Sequence, residues 1–294
     1  MTEQAKTPIN PYLALILSVL SVSTSSIFVR FSDASSMIIS TYRMLFTVIL
    51  MAPVVLLKHR KQLIEIHRKD VLYAVISGLF LALHFATWIT SLKLTTVAAS
   101  TVLVQMSPIF VVAGSYVLFK EKVSRASMIG VVIAIAGSIL VGLLDFRIGG
   151  KAFIGDFLAL SGALFLAGYL LIGRELRKRI DLLPYTFIVY ISCTLFLVVG
   201  SMIMDIPLYP YSLKNYAIFF ALAFFCTILG HTVFNWALKY LPAYAVSTCS
   251  LFEPVGATIL ALLILGEIPG FMQILGQILI LIGLYIFIVK GTYA

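Results

Sequence analysis

The sequence predicts an all-α polytopic membrane protein with ten transmembrane helices, arranged as two inverted five-helix repeats. Three observations predict this fold. Of the 294 residues, 61% are hydrophobic and only 11% are charged, whereas soluble domains carry roughly 25% charged residues. The apolar residues form blocks of ~20, the length that crosses ~30 Å of hydrocarbon as a helix. The second half of the chain also repeats part of the first.

Ten apolar blocks occupy most of the chain and leave no room for a separate soluble domain. They lie at about 11–31, 37–57, 71–92, 95–118, 126–144, 154–173, 184–204, 215–238, 243–265 and 270–289. The alternating segments of ~10 residues that a membrane β-barrel needs are absent. The blocks therefore predict helices that span a bilayer.

The net charge of +9 follows the predicted topology. The loops 57–70, 119–125, 174–183 and 239–242 carry most of the Lys and Arg residues. With ten spans, these loops and both termini share one side, which the positive-inside rule makes cytoplasmic. We expect a multi-pass protein of the cell (inner) membrane with both termini in the cytoplasm. The lipid bilayer is its partner, and no nucleic-acid partner is expected.

A shift of 146 residues aligns the two halves without a gap over a long stretch. It pairs Lys93 with Lys239, Pro108 with Pro254, Glu121 with Glu267, Gly130 with Gly276, and Gly137 with Gly283. Each half holds five predicted spans, an odd number, so the two copies must have opposite orientations. We expect the repeats at 1–145 and 152–290. Inverted repeats are typical of secondary transporters, whose substrate site lies near the midplane between the repeats.

Glu253 and Pro254 place a carboxyl group and a helix break at one depth within an apolar run. A charge there costs ~2.5–3.5 kcal/mol on insertion scales, and proline frees a backbone carbonyl. We expect Glu253 to couple protons to transport. The alternative is a permanently protonated Glu253 that hydrogen-bonds a neighbouring helix. In the other repeat, Gln105, Ser107 and Pro108 predict a matching helix break with polar groups for the substrate.

Polar and aromatic residues on two repeat-related spans predict a cavity lining. His84 and Trp88 are four residues apart and share a helix face. His231 and Asn235 repeat this spacing, with Trp236 adjacent. Inversion would put the two histidines on opposite sides of the midplane, as two gates or as the two ends of one cavity. The alternative is that both are neutral and hydrogen-bond nearby backbone or hydroxyl groups.

Arg43 is the only basic residue well inside a predicted span. We predict that it binds the substrate, with a carboxylate or phosphate as the matching group. Two alternatives stay open. Arg43 could pair with Glu253, or its long side chain could extend outward to the membrane surface.

The TYRMLF segment around Arg43, the two five-helix halves and the Pro…Glu endings of the fourth and ninth spans resemble the EamA family of the drug/metabolite transporter (DMT) superfamily. The resemblance covers essentially the whole chain and is strongest over 84–142 and 231–288. It implies ten helices and, usually, export of amino acids, other metabolites or drugs. Many members carry a Trp-Gly pair in the first span, where this chain has STSSIF at 23–28, so no substrate tied to that pair is carried over.

These observations predict a secondary active transporter that exports small amphipathic metabolites, such as amino acids, by alternating access. Exchange for protons is the coupling hypothesis. Two alternatives stay open, namely an uptake or exchange carrier for phosphorylated or nucleotide-type solutes and a lipid-carrier flippase. An enzyme is not expected, because no G-x-S-x-G or similar motif occurs. The absence of a nucleotide-binding motif and of metal-ligand spacing predicts no cofactor and no metal. A homo-oligomer is left open.

Overall fold

A computed structural model describes residues 9–95, 97–142, 150–266 and 268–290 of the protein. All of the regular secondary structure in these ranges is helical. Glu267, which the sequence aligns with Glu121, lies outside the described residues.

The first part of the chain begins with helices capped by short polar side chains. Ser35 caps α3, and its hydroxyl accepts a hydrogen bond from the Ile38 N–H at 3.4 Å. The helices described up to residue 142 are α1 (Pro11–Ser23), α2 (Ser25–Phe31), α3 (Ser36–Lys58), α4 (Arg60–Glu65), α5 (Arg68–Leu94), α6 (Val97–Val104), α7 (Ser107–Phe119) and α8 (Arg125–Gly142).

The second part of the chain combines α-helices with π-helical segments. Its α-helices are α9 (Lys151–Leu176), α10 (Leu182–Ile203), α11 (Leu213–Ala221), α12 (Thr232–Ala237), α13 (Ala243–Ser250), α14 (Glu253–Leu260) and α15 (Phe271–Tyr285). The π-helical segments are Leu222–His231, Ala261–Leu265 and Ile286–Lys290. Directly after the first of these, Thr232 Oγ1 donates to the carbonyl of Thr227, which lies within the segment, at 3.1 Å.

Seven helical stretches of the described chain are long and apolar enough to cross a membrane. They are Pro11–Phe31, Ser36–Lys58, Arg68–Leu94, Lys151–Leu176, Leu182–Ile203, Leu213–Ala237 and Ala243–Ile264. Three further apolar helices, Ser107–Phe119, Arg125–Leu140 and Ile274–Val289, are shorter. The predicted fourth span is divided between α6 and α7, so neither piece reaches spanning length alone. The helices support a multi-pass membrane protein, and the number of ten spans stays a prediction.

Helix starts recur at one spacing along the chain. α3 begins at Ser36 and α10 at Leu182, and α6 begins at Val97 and α13 at Ala243. Both intervals are 146 residues, the offset at which the sequence aligns with itself. Local structure therefore follows the sequence repeat.

Glycines bring α8 and α15 into close contact. A Cβ atom added to Gly130 would lie 2.6 Å from the Gly283 carbonyl oxygen, and one added to Gly137 would lie 2.5 Å from that of Gly276. Side chains are too large for such approaches, so these positions need glycine. Position numbers rise along α8 as they fall along α15, which means that the two helices run antiparallel.

The core between α3, α5, α9 and α10 buries tyrosines whose hydroxyls have partners. Tyr185 and Tyr190 are fully buried. The Tyr185 hydroxyl lies 3.0 Å from Ser77 Oγ, and the Tyr190 hydroxyl lies 3.1 Å from Thr232 Oγ1. Since buried polar groups are costly when unpaired, these bonds help to hold α10 against α5 and α12, next to the site described below.

Candidate functional site

A small cavity lies among the helices of both halves of the chain. Its volume is about 30 Å³, which holds one or two water molecules, whereas small-molecule sites measure roughly 300–1,000 Å³. It is lined by Val22, Arg43, His84, Trp88, Val104, Gln105, Leu166, His231, Phe234, Ser250 and Glu253. A metabolite could enter this space only if the helices moved apart.

The cavity brings together most of the polar residues that the sequence singled out. Those among its lining are Arg43, His84, Trp88, Gln105, His231 and Glu253. They come from helices far apart in the chain, so only the tertiary fold assembles them.

Two helix interruptions meet at this cavity. Residues 105–106 separate α6 from α7, and residues 251–252 separate α13 from α14. These interruptions are again 146 residues apart. Pro108 and Pro254 each occupy the second position of the helix that follows, where the missing proline N–H leaves no helical hydrogen bond unmade. Each proline thus favours the start of a new helix at this place.

A hydrogen bond between the two interruptions connects the halves. Gln105 Nε2 donates to Glu253 Oε2 at 2.6 Å, and Ser250 Oγ donates to Gln105 Oε1 at 3.0 Å. Because a hydroxyl donor faces the amide oxygen, the amide NH₂ is directed at the carboxyl group. Ser23 Oγ donates to the Glu253 backbone carbonyl at 3.1 Å. Glu253 is half-buried, and hydrogen bonds hold both its carboxyl group and its backbone carbonyl.

Arg43 is buried beside the cavity, with 1% of its surface exposed. Its Nε donates to Thr227 Oγ1 at 2.8 Å, and its guanidinium carbon lies 4.4 Å from the centre of the Phe85 ring. The interpretation in which Arg43 extends outward is wrong, since the side chain is enclosed. Nor does it form the alternative ion pair, because none of its nitrogens lies within 4.0 Å of a Glu253 carboxyl oxygen.

The two intramembrane histidines are neighbours. Their ring centres lie 6.4 Å apart, and the His84 ring stacks on Trp88 at 5.9 Å. Two separate gates are therefore excluded as an interpretation, since both rings belong to one cavity. The predicted depths of the two histidines assumed α-helices throughout. The segment Leu222–His231 is π-helical instead, so the position of His231 along the helix axis differs from that prediction. His84 Nδ1 lies 3.0 Å from the Gly162 carbonyl, so this nitrogen carries the proton and donates it.

Three predicted site residues lie outside the cavity lining. Ser107 is buried directly after the first interruption. Asn235 Nδ2 donates to the His231 carbonyl at 2.8 Å, four residues back along the chain. The Trp236 ring packs on Tyr240, with ring centres 5.0 Å apart. An aromatic pocket at the cavity therefore includes Trp88 and not Trp236.

Sequence reasoning missed the apolar wall and one polar residue. The wall consists of Val22, Val104, Leu166 and Phe234, and no sequence signal separates such residues from other apolar residues of a membrane helix. Ser250 had a usable signal, because it precedes Glu253 by three residues and so could share its face.

A second polar contact, away from the cavity, joins the segment after α7 to α9. Glu121 Oε1 lies 3.5 Å from Arg174 Nη2, and both side chains are largely buried, at 23% and 18% exposure. Arg174 Nη1 also donates to the Leu238 carbonyl at 3.3 Å. The contact joins the end of α7 to α9 and to the residue after α12.

The cavity lining offers both polar and apolar groups to a solute that enters when the helices separate. Arg43 supplies a fixed positive charge, Glu253 a carboxyl group, and Val22 and Leu166 an apolar surface. Within the described residues, no group of three or more His, Cys, Asp or Glu side chains is placed to hold a metal ion. The arrangement suits binding of an amphipathic molecule.

Comparison with known proteins identifies a family of transporters. The model of the EamA-like transporter family matches the chain twice, over residues 9–143 and 153–289. An uncharacterized transporter of Clostridium kluyveri is 24% identical over 287 residues, covering 92% of this chain and 91% of its own. A probable amino-acid metabolite efflux pump of Salmonella typhimurium is 25% identical over 198 residues, 64% of this chain and 66% of its own.

One solved structure, described only as the crystal structure of a protein, shares the fold. It superposes with a TM-score of 0.79 and covers 96% of this chain and 98% of that one. At 15% sequence identity, it bears on the fold alone.

Proposed function

The chain belongs to the EamA-like transporter family, which supports a membrane transporter rather than an enzyme, and we propose that it is a secondary active exporter. Its substrates in this proposal are small amphipathic metabolites such as amino acids, moved by alternating access in exchange for protons. The observation that carries the proposal is the cavity at the two helix interruptions. A fixed cation, a carboxyl group and an apolar wall surround it.

Alternating access is supported by the size of the cavity and by its position. About 30 Å³ admits water and excludes an amino acid, so loading requires the surrounding helices to separate. Helix interruptions within a membrane are tolerated where they line protein or a water-filled cavity. The hydrogen bond between Gln105 and Glu253 is the contact that a solute would replace on entering.

Two inverted repeats, 1–145 and 152–290, give the proposal its symmetry. The helix starts that recur after 146 residues, the antiparallel packing of α8 and α15, and the two matches of the family model support such repeats. Ten spans with both termini in the cytoplasm of a cell (inner) membrane complete the topology. In this orientation, Glu121 and Arg174 meet on the cytoplasmic side, where their contact would close the route inward.

Different observations support export and proton exchange. The relative from Salmonella typhimurium is named as a probable amino-acid metabolite efflux pump, which supports export of related solutes. Glu253 supports proton exchange, because an ionisable group within a membrane span is by default a functional one. We assign it the coupling role.

Purified protein in proteoliposomes with a pH-sensitive dye inside tests the proposal. We would challenge it with a panel of amino acids and related metabolites and compare Glu253→Gln with the matched control Glu175→Gln, a partly exposed carboxyl paired with Lys178. We expect substrate-evoked proton movement in the wild type and the control and none in Glu253→Gln. Transport by Glu253→Gln that keeps its dependence on a pH gradient would remove the coupling role.

A further inference from the structure

Three buried nitrogens at the cavity lack hydrogen-bond partners. They are Arg43 Nη2, Trp88 Nε1 and His231 Nδ1, and none contacts an acceptor within the described part of the chain. Their side chains are 1%, 4% and 4% exposed, and all three residues line the same cavity. Burying a polar group without a partner costs about 1–3 kcal/mol, and more for a charged one. Such a group of unused donors at one site indicates a missing acceptor.

The donors differ in chemistry but match the same kind of acceptor. The Arg43 guanidinium is always charged and only donates. The Trp88 indole N–H also only donates, and His231 Nδ1 donates in the tautomer that carries its proton there. Water would satisfy the neutral donors, but an anionic oxygen also balances the charge of Arg43.

The charge of the cavity sets the charge of the acceptor. Arg43 is the one permanent cation among the lining residues, and its Nε is already used by Thr227. The carboxyl group of Glu253 does not pair with it and accepts instead from Gln105. The single positive charge of the Arg43 guanidinium is matched by one negative charge beside it, which is that of a carboxylate rather than of a doubly charged phosphate.

We propose that Arg43, Trp88 and His231 form a subsite for the carboxylate of the transported solute. This inference rests on the proposed transport function and specifies its substrate. The carboxylate oxygens accept from these three donors, and the Phe85 ring packs against the guanidinium group, with the guanidinium carbon 4.4 Å from the ring centre. The apolar part of the solute lies against Val22 and Leu166.

The two tryptophans of the sequence provide a direct test. Because the chain contains only Trp88 and Trp236, Trp236→Phe leaves a single fluorophore at the subsite. We would titrate this variant with the twenty standard amino acids, with their carboxamides and with inorganic phosphate, and follow the emission of Trp88. We expect at least one amino acid to change the emission saturably and its carboxamide to bind about tenfold or more weakly, because the amide lacks the charge.

Arg43→Gln in the Trp236→Phe protein tests whether Arg43 is the residue that recognises the negative charge of the carboxylate. We expect Arg43→Gln to weaken binding of the amino acid by about tenfold or more and to leave binding of its carboxamide unchanged. Arg43→Lys should bind the amino acid with intermediate affinity. Unchanged binding of the carboxamide also shows that the variant is folded. The proposal is overturned if acid and amide bind equally, if Arg43→Gln weakens both alike, if only phosphate changes the emission, or if no amino acid does. Transport of amines or amides in proteoliposomes would overturn this subsite and leave the transport function standing.

Discussion

The antiparallel contact between α8 and α15 allows a stability prediction with a definite sign. A Cβ at Gly130 would lie 2.6 Å from the Gly283 carbonyl oxygen and 2.8 Å from the Phe287 backbone nitrogen. Ordinary contact begins at 3.4 Å, so Gly130→Ala must push the helices apart by about 0.8 Å. Both obstacles are backbone atoms, which cannot rotate away as a side chain can. Overpacking of this kind costs about 1–3 kcal/mol.

The sign is diagnostic because alanine is the better helix former. In a helix without a clash, Gly→Ala is favourable by about 1 kcal/mol. Gly200→Ala is the matched control, since Gly200 lies within α10 and its added Cβ meets only the flexible end of Met37, at 2.8 Å. We expect Gly200→Ala to be neutral or stabilising and Gly130→Ala to be destabilising.

Thermal unfolding of the detergent-solubilised protein, followed by circular dichroism, measures the difference. Gly130→Ala should unfold at a lower temperature than both the wild type and Gly200→Ala. Gly137→Ala should lower the stability less in the Gly130→Ala protein than in the wild type. The first substitution has already separated the helices, and effects at neighbouring sites are not additive. A Gly130→Ala protein as stable as Gly200→Ala would refute the close contact.

The remaining predictions concern access and binding. Glu121→Gln removes the ion pair with Arg174, worth about 1 kcal/mol, or roughly fivefold in the open population. We expect maleimide to label Cys249, a buried free cysteine of α13, several-fold faster in this variant, and an unchanged rate would show that the pair does not restrain opening. His84→Ala and His231→Ala should each reduce transport in proteoliposomes, because both rings line the cavity. Full activity in both variants would assign the histidines to packing.

Polar outliers in apolar helices were the part of the site that sequence could reveal. Arg43, His84 and Glu253 stand out because a charged or polar group within a membrane span is costly and needs a reason. All three line the cavity. The two prolines likewise marked where helices are interrupted, since a proline favours the first turn of a new helix.

Contacts between helices could not be predicted in the same way. Spacing shows which residues share a helix face, but not which neighbour that face meets. Trp236 lies only five residues after His231, yet its ring packs on Tyr240 instead of lining the cavity. The hydrogen bond from Gln105 to Glu253 joins residues 148 positions apart, and only the packed structure brings them together.

The two helix interruptions match in position but carry different side chains, and this difference would orient a bound solute. Ser107 and Glu253 are the first residues of α7 and α14 and correspond under the repeat offset, yet only the second has a carboxyl group. Two equivalent helix breaks provide the symmetry that alternating access needs. The cavity between the two interruptions has one carboxyl group, that of Glu253, and one arginine, Arg43, so its charges are distributed asymmetrically. A solute with one carboxylate would therefore bind in one orientation, and the asymmetry lies in side chains rather than in the backbone.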